Sequence, residues 1–150
     1  MILYLDNCCF NRPFDRQDQI KIYLETEAKL FIQEKIREGY YKLLWSYILD
    51  YENSKNPFQE RKITISKWNK YAFCNVSASE FILANAKKLN SELNIKAKDS
   101  LHIACAIEGN ADVFLTTDIF LIKRLKKYPT IEVVNPLEFI NTQDNIGELL

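Results

Sequence analysis

The stretch Ile2-Leu3-Tyr4-Leu5-Asp6-Asn7 decides the fold. Its apolar run is too short for a helix and stops abruptly on an acid and an amide. Such a run reads as a strand buried on both faces, the kind found at the centre of a parallel sheet. In open α/β sheets, ligands bind outside the carboxyl ends of the strands. Asp6 stands at that edge. It is either a turn acid that ends the strand or part of a chemical centre, depending on whether other acids reach the same edge.

The 150 residues suit one domain, 1–150, with an adequate core. An apolar fraction of 47% excludes a disordered chain. Lys plus Arg equals Asp plus Glu at 20 each, so any nucleic-acid site depends on local charge placement. No run approaches the ~18 apolar residues that span a bilayer, and no positive region precedes a long apolar one at the amino terminus. A cytoplasmic protein without membrane contact is expected. Cys8, Cys9, Cys74 and Cys105 lie in or beside apolar segments. With Cys8 and Cys9 adjacent and a single histidine in the chain, structural zinc is disfavoured.

The segment from Cys8 to Asp15 reads as a loop, punctuated by Asn11 and Pro13. A long helix follows from about Gln19 to Arg37, capped near Asp18. Its apolar stripe is Ile20, Tyr23, Leu24, Ala28, Phe31, Ile32 and Ile36, and Gly39 ends it. Lys42 to Trp45 is a second buried strand, and Ser46 caps a helix through about Ser54. A charged helix, roughly Phe58 to Tyr71, is expected largely in solvent, with Trp68 packing at the surface and Trp45 in the core. Ala72 to Val76 is a third strand, followed by a helix from about Ala78 to Leu93. The most apolar helix opens at Ala97 and closes at Gly109-Asn110. Val113 to Asp118 is a fourth strand that ends on an acid, with a helix from Asp118 to Lys127 behind it. Ile131 to Val134 is a fifth strand, and Pro136 starts a terminal helix. Strands alternating with helices predict a three-layer α/β/α sandwich around a mainly parallel sheet of about five strands.

Asp6 and Asp118 each end a strand, so both belong at one sheet edge. Asp99 sits in the first turn of a helix apolar enough to be buried, where the macrodipole favours an acid. Glu52 follows Ile48 and Leu49 on the inward face of its helix, whereas Asp50 points elsewhere. Each acid has a bland explanation, but four at one edge do not. Converging carboxylates raise one another's pKa unless a cation neutralises them. Hard oxygen ligands select Mg²⁺ or Mn²⁺, and such ions at a sheet edge serve phosphate-ester chemistry.

The four acids in this order make the sequence similar to the PIN-domain family of metal-dependent nucleases over essentially the whole chain. The matching stretches are Tyr4-Leu5-Asp6, Ser46 to Glu52, Lys98 to Ala104, and Thr116-Thr117-Asp118. Val134 to Phe139 also resembles the end of such domains. The resemblance implies a divalent-metal-dependent endoribonuclease with Asp6, Glu52, Asp99 and Asp118 as catalytic metal ligands. It also implies a homodimer and, as in many relatives that are toxins, an antitoxin partner. It puts a hydroxyl to use at Thr116, and Asn7 has the same status. The competing reading is a non-catalytic PIN-like module that binds RNA or protein.

Arg12, Lys55 and Lys98 are the candidates for holding phosphate, because each lies a few residues from a proposed ligand. Lys123, Arg124, Lys126 and Lys127 read as a solvated helix end. His102 reads as a partly buried, locally hydrogen-bonded histidine. Tyr23, Leu24, Phe31, Tyr40 and Tyr41 exceed what one buried helix face needs, consistent with a two-fold dimer. Phosphatase and receiver chemistries are disfavoured because Cys8 stands where a second acid is needed. The chain's three glycines, with no glycine-rich loop after the first strand, disfavour a nucleotide cradle.

Overall fold

The first strand, β1 (Ile2–Leu5), occupies the middle of a five-stranded sheet ordered β3-β2-β1-β4-β5. The fold comes from a computed structural model that describes residues 1–143. β2 (Lys42–Ser46) and β4 (Val113–Leu115) flank β1, with β3 (Ala72–Val76) and β5 (Glu132–Val134) outside them. Every pairing is parallel, and Tyr4 lies in register with both Leu44 and Phe114. A strand hydrogen-bonded on both sides and covered on both faces must be apolar throughout, and Leu3, Tyr4 and Leu5 are all buried.

Helices cover both faces, as expected. On one side α6 (Ala97–Glu108) lies over Tyr4, Leu44 and Phe114, and Tyr4 stacks on Phe114 at 5.2 Å between centroids. The close approach is visible at Gly109, where an added Cβ would lie 2.3 Å from a Leu44 methyl. α5 (Glu80–Leu93), capped by Ser79, packs against α6. On the other side Trp45 meets Phe10 edge-on at 5.3 Å. There α2 (Ile20–Arg37) packs against the closing helix Pro136–Thr142.

Several local expectations are corrected. The Cys8–Asp15 loop is a short helix α1 (Asn7–Asn11) followed by a 3-10 turn, Arg12–Phe14. The Phe58–Tyr71 helix splits into α4 (Gln59–Ser66) and a 3-10 turn, Lys67–Tyr71. Trp68 of that turn is buried, with the Arg37 guanidinium 4.7 Å from its ring centroid. The fourth strand stops at Leu115, three residues before Asp118. α2 has no side-chain cap at its start.

The larger correction concerns the face that α2 buries. Ile20, Tyr23 and Leu24 point outward, while Glu25, Thr26, Lys29 and Gln33 are buried beside Ala28, Ile32 and Ile36. Partners elsewhere in the chain serve Glu25 and Thr26 on this face, whereas the buried Gln33 Nε2 meets none among the described residues. Glu25 accepts from Arg12 Nε at 2.9 Å and from the Asn135 amide, and the Thr26 hydroxyl donates to the Arg12 carbonyl at 3.2 Å. Lys29 pairs with no acid among the described residues; its ammonium lies 5.5 Å from the Phe10 ring centroid.

Burial pushes Lys29 down to about 7. A base with a depressed folded pKa carries a folding penalty below that value, relieved as pH rises toward the unfolded value. Lys29→Met is therefore expected to exceed the parent in stability near pH 6.5. The parent should recover about 2 kcal/mol relative to the variant by pH 9, at roughly 1.4 kcal/mol per pH unit. Urea denaturation of both proteins at the two pH values checks this. A constant difference would show the ammonium to be solvated.

Candidate metal centre

Asp6 ends β1 and caps α1: its extended backbone turns the side chain back so that Oδ1 accepts from the Asn7 amide at 2.8 Å. Its Oδ2 accepts from the Thr116 hydroxyl at 2.8 Å and faces the Cys8 thiol at 3.5 Å. Thr116 is fully buried at the end of β4, and its Oγ1 also accepts from the Asp118 amide at 3.1 Å. One hydroxyl thus couples two of the acids. Asp118 caps α7 (Ile119–Leu125) by accepting from the Phe120 and Leu121 amides through Oδ1. Asp6 and Asp118 consequently share the carboxyl edge, as expected.

Glu52 arrives on α3 (Tyr47–Ser54), a helix capped by the buried Ser46. Its Oε1 lies 2.5 Å from His102 Nε2, and its Oε2 accepts from Asn7 Nδ2 at 2.9 Å. His102 Nε2 is also 4.0 Å from Asp6 Oδ1. Asp50 is directed elsewhere, accepting from the Trp45 indole at 2.9 Å. Burial raises the Glu52 pKa, but the hydrogen bond and charge of His102, then Lys98 and Asn7, outweigh it and hold the carboxyl below its ordinary range.

His102 is fully buried and bonded far from its own helix turn, which corrects the expectation of a local partner. Its Nδ1 lies 2.6 Å from the Tyr4 hydroxyl, which is in turn 2.6 Å from Ser46 Oγ. Because Glu52 is a carboxylate and only accepts, His102 Nε2 must donate to it. Burial raises the Tyr4 pKa well above the ordinary range, so this hydroxyl stays protonated. A chain from Ser46 through Tyr4 and His102 thus sets the direction of Glu52. Sequence analysis missed this chain. Two signals were present: Tyr4 and Asp6 share a strand face by alternation, and a buried tyrosine hydroxyl requires a partner.

Asp99, in the first turn of α6, is half-buried. Burial pushes its carboxyl up to about 6, and the charges of Asp6, Asp118 and Glu52 push the same way against His102. Asp99 therefore feels the charge of the other three expected acids. Ligand atoms of Asp6, Glu52 and His102 lie within 4.8 Å of one another. Both His102 nitrogens are taken by Tyr4 and Glu52, so the free donors at the centre are carboxylate oxygens. That donor set fits a hard divalent cation better than zinc.

An acid with a raised folded pKa contributes stability below its unfolded value and loses it as pH rises through the folded one. Asp99→Asn should therefore stabilise the metal-free protein near pH 7.5 by about 1 kcal/mol, after allowing for solvent screening. It should have little effect near pH 4. Thermal melts at the two pH values test this, and a destabilised variant at pH 7.5 would refute it.

The remaining expected residues fall into three groups. Lys55 and Lys98 lie near Glu52: Lys55 lines a cleft with it, and the charge of Lys98 lowers its pKa. Arg12 is engaged with Glu25 at 2.9 Å and Asp15 at 3.1 Å. Asn7 holds Glu52 and Thr116 holds Asp6, so both touch the acids directly. A cavity of about 810 Å³ lies elsewhere, between α7 and β5.

No family model matches the chain. No curated protein matches it either. Solved structures do. A chain of VapBC2 from Rickettsia felis, bound to a DNA fragment from its promoter, is 19% identical with a TM-score of 0.55. The alignment covers 90% of this chain and 98% of that one. A chain of FitAcB from Neisseria gonorrhoeae is 16% identical over 91% of this chain and 98% of its own, with a TM-score of 0.58. A chain of VapBC-1 from nontypeable Haemophilus influenzae is 18% identical over the same shares, with a TM-score of 0.57. At such identities the likeness concerns the fold, and the fold of this chain is the expected PIN-like one, a parallel five-stranded sheet between helical layers.

Proposed function

We propose that the chain is a divalent-metal-dependent nuclease, an endoribonuclease that hydrolyses RNA phosphodiester bonds, with Mg²⁺ or Mn²⁺ held by Asp6, Glu52, Asp99 and Asp118. The observation that carries this is geometric: Thr116 ties Asp6 and Asp118 together at one sheet edge, carboxylate oxygens of Asp6 and Glu52 lie within 4.8 Å of each other, and the charges of all three act on Asp99. Mutual repulsion of this kind is a standing cost in the free protein, and a bound cation removes it. When bound, the metal would lower the pKa of a water and neutralise charge developing on the scissile phosphate. Asp6, held by its central strand and by the Thr116 hydroxyl, would be one of the residues that hold the metal. Glu52 is oriented by His102 and Asn7. Lys55 and Lys98 supply the positive charge beside Glu52 that a phosphate needs.

The reading as one half of a toxin–antitoxin pair is supported by the likeness to VapBC and FitAcB chains. It is also supported by the outward Ile20, Tyr23, Leu24 and Leu30 of α2, which would suit a protein partner, whether an antitoxin or a second copy in a dimer. No helix among the described residues is long and apolar enough to cross a membrane.

Incubation of the protein with end-labelled single-stranded RNA in Mg²⁺, in Mn²⁺ and in excess chelator tests the proposal. Internal cleavage that appears with metal and stops with chelator supports it. Absence of cleavage, together with calorimetry showing no metal binding, favours the module that only binds.

A further inference from the structure

A cleft of about 260 Å³ opens beside Glu52, on the flank of the acid centre formed by the turn between α3 and α4. Phe58 stands in its wall with 55% of its surface in water. The ring is held in place nonetheless. Asn56 Oδ1 accepts from the Phe58 amide at 3.1 Å and fixes the turn. The Arg61 guanidinium lies 4.4 Å from the Phe58 centroid and is anchored to the Phe14 carbonyl at 2.7 Å. Lys55 lines the same cleft, its ammonium 5.5 Å from the ring centroid of Tyr51, which is itself 54% exposed. Among the described residues Glu52 is the only acid that lines the cleft, while Arg61 also meets Asp15 behind it at 3.5 Å.

An ordered aromatic face in water, carrying a stacked guanidinium and a neighbouring ammonium, matches what an unpaired nucleotide requires. Bases stack on aromatic rings whatever their sequence, and cations beside the ring take the phosphates. A base inside a duplex has no free face to offer. We propose that Phe58, backed by Arg61 and Lys55, is a stacking subsite for one unpaired nucleobase adjacent to the bond cleaved at the acid centre. This deepens the nuclease reading and rests on it for the position of the cleaved bond. The subsite makes an unpaired strand, rather than a duplex, the substrate.

The test measures anisotropy of a fluorescein-labelled 12-nucleotide single-stranded RNA with the Asp6→Asn protein, which leaves the oligonucleotide intact. A set of the same RNA carries one abasic nucleotide, moved position by position. Phe58→Ala is expected to weaken binding roughly 10- to 100-fold. Phe58→Leu, which keeps bulk but no π face, should lose as much, and Phe58→Trp should bind like the parent. One abasic position should weaken the Phe58 protein by the same factor and leave Phe58→Ala unaffected. Duplex RNA should show no Phe58 dependence. Equal binding by the parent and Phe58→Ala overturns the subsite, as does a loss that no abasic position reproduces. In protein with Asp6 intact, RNA cleavage indifferent to Phe58 leaves the nuclease standing and removes the subsite. Abasic-sensitive, Phe58-dependent binding without cleavage does the reverse. The exposed position of Phe58 keeps the variants folded, and a melting curve for each verifies it.

Discussion

Asp6→Asn is expected to reduce metal-dependent RNA hydrolysis by roughly two to four orders of magnitude, as the loss of several kcal/mol of charge stabilisation requires. The fold should survive. The amide oxygen of Asn can still cap the Asn7 amide, and the Thr116 hydroxyl can turn to accept from the new NH₂ group. What disappears is a charge. Because that charge helps to push Asp99 up to about 6, the Asp99 carboxyl should titrate lower in the variant. Stability of the metal-free protein near pH 7.5 should hold level or rise. Cleavage assays, a carboxyl NMR titration and thermal melts examine the three parts separately. Undiminished cleavage would remove Asp6 from the chemistry. A large fall in stability with intact activity would make it a helix cap and no more.

His102→Leu should damage the protein in a different way. The substitution leaves Tyr4 with Ser46 alone and Glu52 with Asn7 alone, in a pocket where the imidazole was fully buried. Loss of the partners and imperfect refilling of the space are expected to cost about 2–4 kcal/mol. Glu52 then loses the bond and charge that offset its burial, so its pKa should rise. Metal affinity should fall about 10- to 100-fold, as when an outer partner of a ligand is removed. His102→Gln, which can still donate to Glu52, should recover part of both losses. Urea denaturation and Mn²⁺ calorimetry on both variants decide the matter. A neutral His102→Leu would show that Glu52 is oriented without it.

Much of the architecture was legible because it depends on local pattern. An unbroken apolar strand has to be central, and short strands alternating with helices have to build a parallel sheet with covered faces. Thus Ile2–Leu5 lies at the centre of the sheet, and Asp6 and Asp118 share an edge. Helical periodicity separated Glu52 from Asp50, because Ile48 and Leu49 already marked the inward side. Local pattern failed where burial depends on partners distant in sequence. α2 turns Glu25 and Lys29 inward and Tyr23 outward, because Arg12 and Asn135 meet Glu25 in three dimensions. Periodicity alone cannot register that compensation.

The same division runs through the candidate centre. The sequence by itself determined which carboxylates reach one edge, because strand ends and helix first turns are positions along the chain. Only the tertiary structure decided what each acid holds and what holds it. Ser46, Tyr4, His102 and Glu52 belong to two strands and two helices, and their hydrogen-bonded chain exists only once α6 is laid across the sheet. Arg12, close to Asp6 in sequence, is drawn away to neutralise Glu25, whereas Phe58, six residues beyond Glu52, is brought to its side. Sequence distance ranks neither, because the direction of a side chain is fixed by the element on which its own helix packs.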